Sequence, residues 1–344
     1  MSDRGTMAKD ANHVYFKDHI VTGLNTAGTI YLANNFCKDS NHVCYGNATL
    51  KQADAATFVH IMGYYASDKK HLYYKQQLVP GANIRTLKPI KYDSTQNNLP
   101  DEYLRDQQHV YFKGNLIEGA KPENFKLINV PDDQWHTQYA FDGKYYFYEH
   151  HRISVNNDEQ QTHLKLLSLD KGFGWHGLFY QQAAIYCYDT DRHELVSLGK
   201  RDNNAPFNKI DRGIFTDGKH VYFTFGKWNK TGGRTPHYTG HTTGLCRVKG
   251  ADPQNFKAVG NFITQNKAEG TLYRSGNSTF FHPTYRADGN YSPALLLLKA
   301  DGTIKDLPLD DALYKYIKDY NGPSIFSLEY YKSLFKSGSD NEDD

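Results

Sequence analysis

What is scarce in this sequence excludes several kinds of protein at once. Its 344 residues hold four cysteines, Cys37, Cys44, Cys187 and Cys246, and no two form a Cys-x-x-Cys pair. So few thiols in so long a chain do not make the disulfide framework of a secreted domain. Cys37 and Cys44 are near enough in sequence to bridge, but the expected state is that of buried, reduced thiols. The longest apolar run, Ala294-Leu295-Leu296-Leu297-Leu298, has the length of a buried strand and falls far short of the ~18 residues of a membrane helix. Residues 1–10 are polar and show no apolar stretch of a signal peptide, so the expected location is the cytoplasm, with Met7 as a candidate start. A periplasmic or cell-surface location would require an export signal upstream. Neither charge sign prevails: 40 Lys and Arg against 38 Asp and Glu give a net charge of +2, which makes no case for nucleic acid or a membrane surface as partner.

Chemical motifs are missing as well. There is no Gly-x-Ser-x-Gly elbow, no P-loop and no Rossmann glycine set. His237 and His241 lie four apart, but Pro236 and Gly240 disrupt the helix that would align them as ligands. His150-His151 has no spaced carboxylate to complete a site, and the acidic residues are scattered through turns. The expectation is a protein with no catalytic residues, no metal and no cofactor.

What the chain has in quantity is aromatic residues, 27 Tyr and 19 Phe, a composition that favours strands. It also has an internal repeat. Asp10-Ala-Asn-His13-Val-Tyr-Phe-Lys17 recurs as Asp39-Ser-Asn-His42-Val-Cys-Tyr45 and Asp68-Lys-Lys-His71-Leu-Tyr-Tyr-Lys75. Asp106-Gln-Gln-His109-Val-Tyr-Phe-Lys113 is the cleanest copy, followed by Asp142-Gly-Lys-Tyr145-Tyr-Phe-Tyr148 and Asp217-Gly-Lys-His220-Val-Tyr-Phe223. The gap from Asp142 to Asp217 is about twice the others and implies a diverged unit between them. A second motif travels with the first: Ala53, Ala82 and Ala120 each stand 14 residues after Asp39, Asp68 and Asp106, with Phe58, Leu87 and Phe125 behind them. Gly250-Ala251-Asp252, with Phe256, repeats it after a longer interval.

These residues set the local structure. Asp followed by Asn, Gly, Lys or Gln is turn chemistry. His-Val-Tyr-Phe-Lys then alternates, with Val and Phe on one face and Tyr and the basic residues on the other. Leu116-Ile117 and Phe125 to Ile128 supply further strands, so each unit reads as a hairpin plus one strand that must stack on its neighbours. The five His at one repeat position, His13, His42, His71, His109 and His220, are displaced by a unit each and cannot converge on one ion.

The repeat resembles that of the DKNYY family of bacterial proteins, best at Asp68 to Lys75 and Asp106 to Phe125, over about Asp10 to Ile153 and Asp217 to Val259. The resemblance implies a β-rich binding protein and carries no shared catalytic site. His stands where the family often varies, and Cys44 stands at a usual Tyr.

The expected fold is mainly β and β-propeller-like, with an open β-solenoid as the alternative. It comprises a leader over residues 1–9, a single repeat domain of six or seven units over 10–308, a short helical segment over 309–336 and an acidic tail over 337–344. Leu164 to Leu169, Ala184 to Tyr188, the Asp-rich hairpin from Tyr188 to Leu198 and a hairpin from Leu295 to Leu307 fill the regions where the motif fades. Apolar residues at helical spacing between Asp310 and Tyr320, then a stop at Asn321-Gly322-Pro323, suggest the helix.

One segment interrupts the pattern. Gly226 to His241 separates Phe223 from Gly250-Ala251, is basic, and has too much glycine to be core. Trp and Arg anchor protein interfaces, and insertions on rigid scaffolds often carry function. Lys227, Trp228, Arg234, His237, Tyr238 and His241 are therefore the expected partner-binding residues. The expected partner is a protein. An immunity protein neutralising a secreted toxin or effector domain is the leading function, and a surface module binding a glycan or host protein is the alternative.

Overall fold

In the computed structural model the described residues are 7–91, 102–128, 138–155, 164–169, 177–190, 192–211, 213–231, 237–248, 250–264, 267–283 and 296–298. The cleanest copy of the repeat shows how the sequence makes the fold. The Asp106 carboxylate accepts the N–H groups of Gln108 and His109 at 2.7 Å each, an Asx turn that reverses the chain. Val110–Phe112 leaves this turn as a strand, paired antiparallel with Tyr103–Arg105 before it and Asn115–Leu116 after it. The second reversal is the pair Lys113-Gly114, with φ of 49° and 82°, the positive values that a type I′ hairpin turn demands. Lys88–Pro89 pairs on the far side of Tyr103–Arg105 and completes a four-stranded meander.

The same solution recurs along the chain. Eight separate antiparallel sheets span residues 7–21, 30–49, 59–79, 88–116, 126–153, 165–200, 208–247 and 257–298. The first has three strands and the others four, always in sequence order. Helix is almost absent among the described residues, the exception being a 3-10 turn at Ile84–Thr86. No closed barrel or propeller is found among them.

Several expectations change. Eight sheets lie among the described residues. The diverged unit between Asp142 and Asp217 is the sheet at 165–200, built on the strands expected at Leu164 to Leu169 and Ala184 to Tyr188 and the hairpin after them. Two sheets lack the Asp: the sheet at 165–200 has Gln181 in its place and the sheet at 257–298 has Ser275. A unit has four strands because a strand of three residues precedes each Asp turn, as in Tyr65–Ser67. All three of its residues are buried, so it has no alternating signature to read. Met7–Lys9, expected within the leader, pairs with Val14–Phe16 and buries Met7. The chain divides into two compact units, Met1–Thr162 and His163–Asp344. The helical segment at 309–336, the acidic tail at 337–344 and most of the hairpin at 295–307 lie outside the described residues.

Packing within the first unit explains why its strands are buried on both sides. Tyr103, Val110 and Phe112 face forward into a cluster with Phe125, Ala140 and Phe147 of the next sheet. Their strand neighbours Leu104 and Tyr111 face backward, against Tyr65, Leu72 and Tyr74. The alternation read from the sequence is real, but its second face meets another sheet instead of water. Tyrosine hydroxyls tie the layers together: Tyr65 donates to Glu102 O at 3.2 Å and accepts from Gly114 N–H at 2.7 Å, and Tyr103 donates to Gln138 O at 2.9 Å.

Gly114 lies so close that a Cβ there would stand 2.6 Å from Tyr74 Cβ, at a φ of +82°. Gly114→Ala is therefore expected to destabilise the fold by about 2 kcal/mol, from strain plus overlap. Urea unfolding followed by circular dichroism measures this, and an unchanged midpoint would contradict the packing described.

Candidate functional site

The repeated Asp is the first candidate, because buried carboxylates are common in active sites. Here every oxygen is used structurally. Asp39, Asp68, Asp106 and Asp217 are buried, and in each Oδ1 caps its own turn. Oδ2 of Asp39, Asp68 and Asp106 accepts a backbone N–H from the preceding connector, given by Asn25, Asp54 and Asn83. The hydroxyls of Tyr73, Tyr111 and Tyr222 donate to the Oδ2 of Asp68, Asp106 and Asp217. Burial disfavours the charge, yet these donors outweigh it and hold all four carboxyls below their ordinary value of 3.8. The same connectors are gripped from the other side by Lys38, whose Nζ donates to Ala55 O and Phe58 O, and by Lys9, which reaches Thr26 O and Thr29 O. The linked Ala motif is thus the connector that a Lys of one sheet and the Asp of the next hold between them.

The five repeated histidines stay with their own turns. Their Nδ1 atoms lie 4.0, 3.5, 3.3, 3.5 and 3.9 Å from Asp10, Asp39, Asp68, Asp106 and Asp217 in chain order. One group among the described residues, Asp202, Asp217 and His220, places its ligand atoms within 4.8 Å of one another. Cations of the protein already serve these carboxylates. Arg201, buried like Asp217, approaches it at 3.6 Å, and Lys219 lies 2.8 Å from Asp202. Asn203 and Tyr222 also donate to Asp217, so the cluster is a built ion-pair network and poorly suited to a metal.

Arg201 is the residue that sequence reading passed over. Its backbone N–H closes the end of its sheet as those of Leu50, Ile117 and Val248 do in theirs, so a guanidinium occupies an aliphatic position of the repeat. It lies over Phe207 at 4.2 Å and donates to Gln182 O at 2.9 Å. A repeat alignment placing Arg201 against aliphatic residues was the available signal. Cys37 and Cys44 are directly opposed across two strands and are free and buried, and Cys187 is buried as well.

The interruption at 226–241 is a pair of long strands. Val221–Thr231 and His237–Arg247 run antiparallel over 11 residues each, whereas the neighbouring strand Ile214–Thr216 reaches only Val221 to Phe223. The ribbon thus runs on past its own sheet. In register, Lys227 opposes Thr242, Trp228 opposes His241, Lys230 opposes Tyr238 and Thr231 opposes His237, with a bulge after Asn229. Five of the six expected binding residues are thereby gathered on one hairpin, and Arg234 lies outside the described residues.

The DKNYY family model matches residues 2–99 and 103–284. The chain belongs to the DKNYY family. The match includes the sheet at 165–200 and most of the sheet at 257–298, both beyond the stretches legible by eye. No curated protein and no solved structure matches the chain.

Three measurements test this description. Asp106→Asn is expected to cost about 2–3 kcal/mol, since an amide has one accepting oxygen and cannot serve both the turn N–H groups at Oδ1 and the Asn83 N–H and Tyr111 hydroxyl at Oδ2. Because Asp39, Asp68, Asp106 and Asp217 have lowered folded values, their stabilisation is complete near neutral pH. It is lost as pH falls below 3.8. Acid unfolding read by circular dichroism should show this, with a weaker pH dependence in Asp106→Asn. Adding zinc to the protein should leave its thermal midpoint in place, and a rise of several degrees would make Asp202, Asp217 and His220 a metal site after all.

Proposed function

We propose that this protein is a non-catalytic binding protein that neutralises a secreted toxin or effector domain by covering it. The observation that carries the reading is the ribbon formed by Val221–Thr231 and His237–Arg247, a two-stranded extension on a scaffold of stacked sheets. Stacked sheets supply rigidity, and a hairpin longer than its sheet supplies an edge and a tip for a partner. The side chains in its sequence, Lys227, Trp228, Arg234, His237, Tyr238 and His241, are of the types that dominate protein interfaces. The four buried carboxyls with lowered pKa values, Asp39, Asp68, Asp106 and Asp217, are spent on turns, which further favours binding over catalysis. We further propose that the sheets act as propeller-like blades. The reason is that each is a sequential antiparallel meander, while the coils of a parallel solenoid would hydrogen-bond to one another.

The test uses the protein encoded beside this one. Expressed alone it should arrest growth, and co-expression of the full chain should restore growth. A variant with the ribbon shortened to a tight turn should fail to rescue while keeping the wild-type circular dichroism spectrum. Trp228→Ala with Arg234→Ala should weaken binding at least tenfold, about 1.4 kcal/mol. Rescue by the shortened variant would remove the ribbon from the mechanism.

A further inference from the structure

The ribbon's backbone defines what kind of partner segment fits it. Val248 N–H donates to Val221 O at 2.8 Å, so this opposed pair is a hydrogen-bonded one. In an antiparallel ladder such pairs alternate with pairs whose N–H and C=O groups point outward. The register Tyr222 to Arg247, Thr224 to Leu245, Gly226 to Thr243 and Trp228 to His241 therefore belongs to the outward set. Thr224 confirms the parity, since its N–H turns away from the ribbon to reach Gly213 O at 2.8 Å. Arg247, Leu245, Thr243 and His241 thus present main-chain donors and acceptors along the last strand of the sheet, which has no further strand beside it among the described residues.

Charge singles out the same segment. The chain as a whole balances 40 basic residues with 38 acidic ones, yet between Asp217 and Asp252 there is no Asp or Glu at all. Lys219 and His220 of that interval are taken by Asp202 and Asp217, which leaves Lys227, Lys230, Arg234, Arg247 and Lys249 with His237 and His241. An edge strand in a stretch of sequence that carries only positive charge is complementary to an acidic strand.

We propose that the outer edge of His237–Arg247 binds an extended, acidic segment of a partner protein by strand addition. This rests on the protein-binding reading and specifies its chemistry. A nucleic acid would satisfy the charge but has no backbone to continue the ladder. Edge lysines also discourage strand-to-strand aggregation, and that role alone would leave the ribbon without a ligand.

The probe is a blocked peptide alternating glutamate and valine, with a lysine–valine peptide and single-stranded DNA as comparators. The glutamate peptide should bind the full-length protein and the lysine peptide should not. Thr243→Pro removes one outward N–H while leaving the ribbon's own ladder intact, and should weaken the peptide about tenfold, or 1.4 kcal/mol. Lys227→Glu with Lys230→Glu should weaken it at least as much and abolish its sensitivity to salt. Absence of glutamate-peptide binding, equal binding by Thr243→Pro, or displacement of the peptide by DNA would each overturn strand addition. If shortening the ribbon abolishes toxin rescue while Thr243→Pro and the charge reversal spare it, protein binding stands and strand addition fails. If the full chain itself fails to rescue, the binding reading fails.

Discussion

A buried carboxylate that must be fully hydrogen-bonded is the constraint on which the rest of this structure depends. A charge taken out of water is costly unless donors surround it. In each well-formed copy the surrounding donors come from places far apart in the chain: two from the turn, one from the preceding connector and one from a tyrosine five residues on. Satisfying the charge therefore fixes the turn, the strand that follows and the link between consecutive sheets together. Lysine on the preceding sheet grips the same connector at its carbonyls, so donors and acceptors of one short segment are divided between two neighbours.

This arrangement makes each junction in the first unit similar to the next, and most stabilisation passes between adjacent sheets, as in repeat proteins. Variation is tolerated where a substitute can do the same work. Ser275 replaces the carboxylate and exchanges hydrogen bonds with the backbone of Asp252. Around Asp217 a buried arginine and an asparagine side chain take over the role played elsewhere by a connector N–H. The apparent metal cluster and the apparent catalytic carboxylates are both consequences of this one structural need.

Function is then sought where the pattern is exceeded. The sheet at 208–247 keeps its Asp turn and its inner strands, but its last two strands run on well past Ile214–Thr216. Extending a hairpin leaves the repeated junctions untouched, because the added residues lie beyond the clamp. A ribbon of this kind can therefore acquire Trp, Tyr and basic residues without cost to the scaffold, which is the physical basis of the proposal that a partner binds there.

Much was legible from the sequence alone. The Asp turn, the strand after it and the linked connector motif were visible because each depends on local chemistry at fixed spacing, and the displacement of the five histidines by one unit each followed from the same spacing. The three-residue strands before each Asp were not, since burial on both faces erases the alternation by which strands are recognised. Nor were the sheets at 165–200 and 257–298 complete in outline, because other groups replace the Asp clamp there. Gly226 to His241 stood out by composition, but its glycines suggested a loop, and the register that gathers Trp228 and His241 comes only from strand pairing. The sequence by itself determined the turns and the repeat, which are short-range hydrogen-bonding problems. Only the tertiary structure decided which faces are buried and which backbone edge is free, because both depend on neighbours distant in the chain.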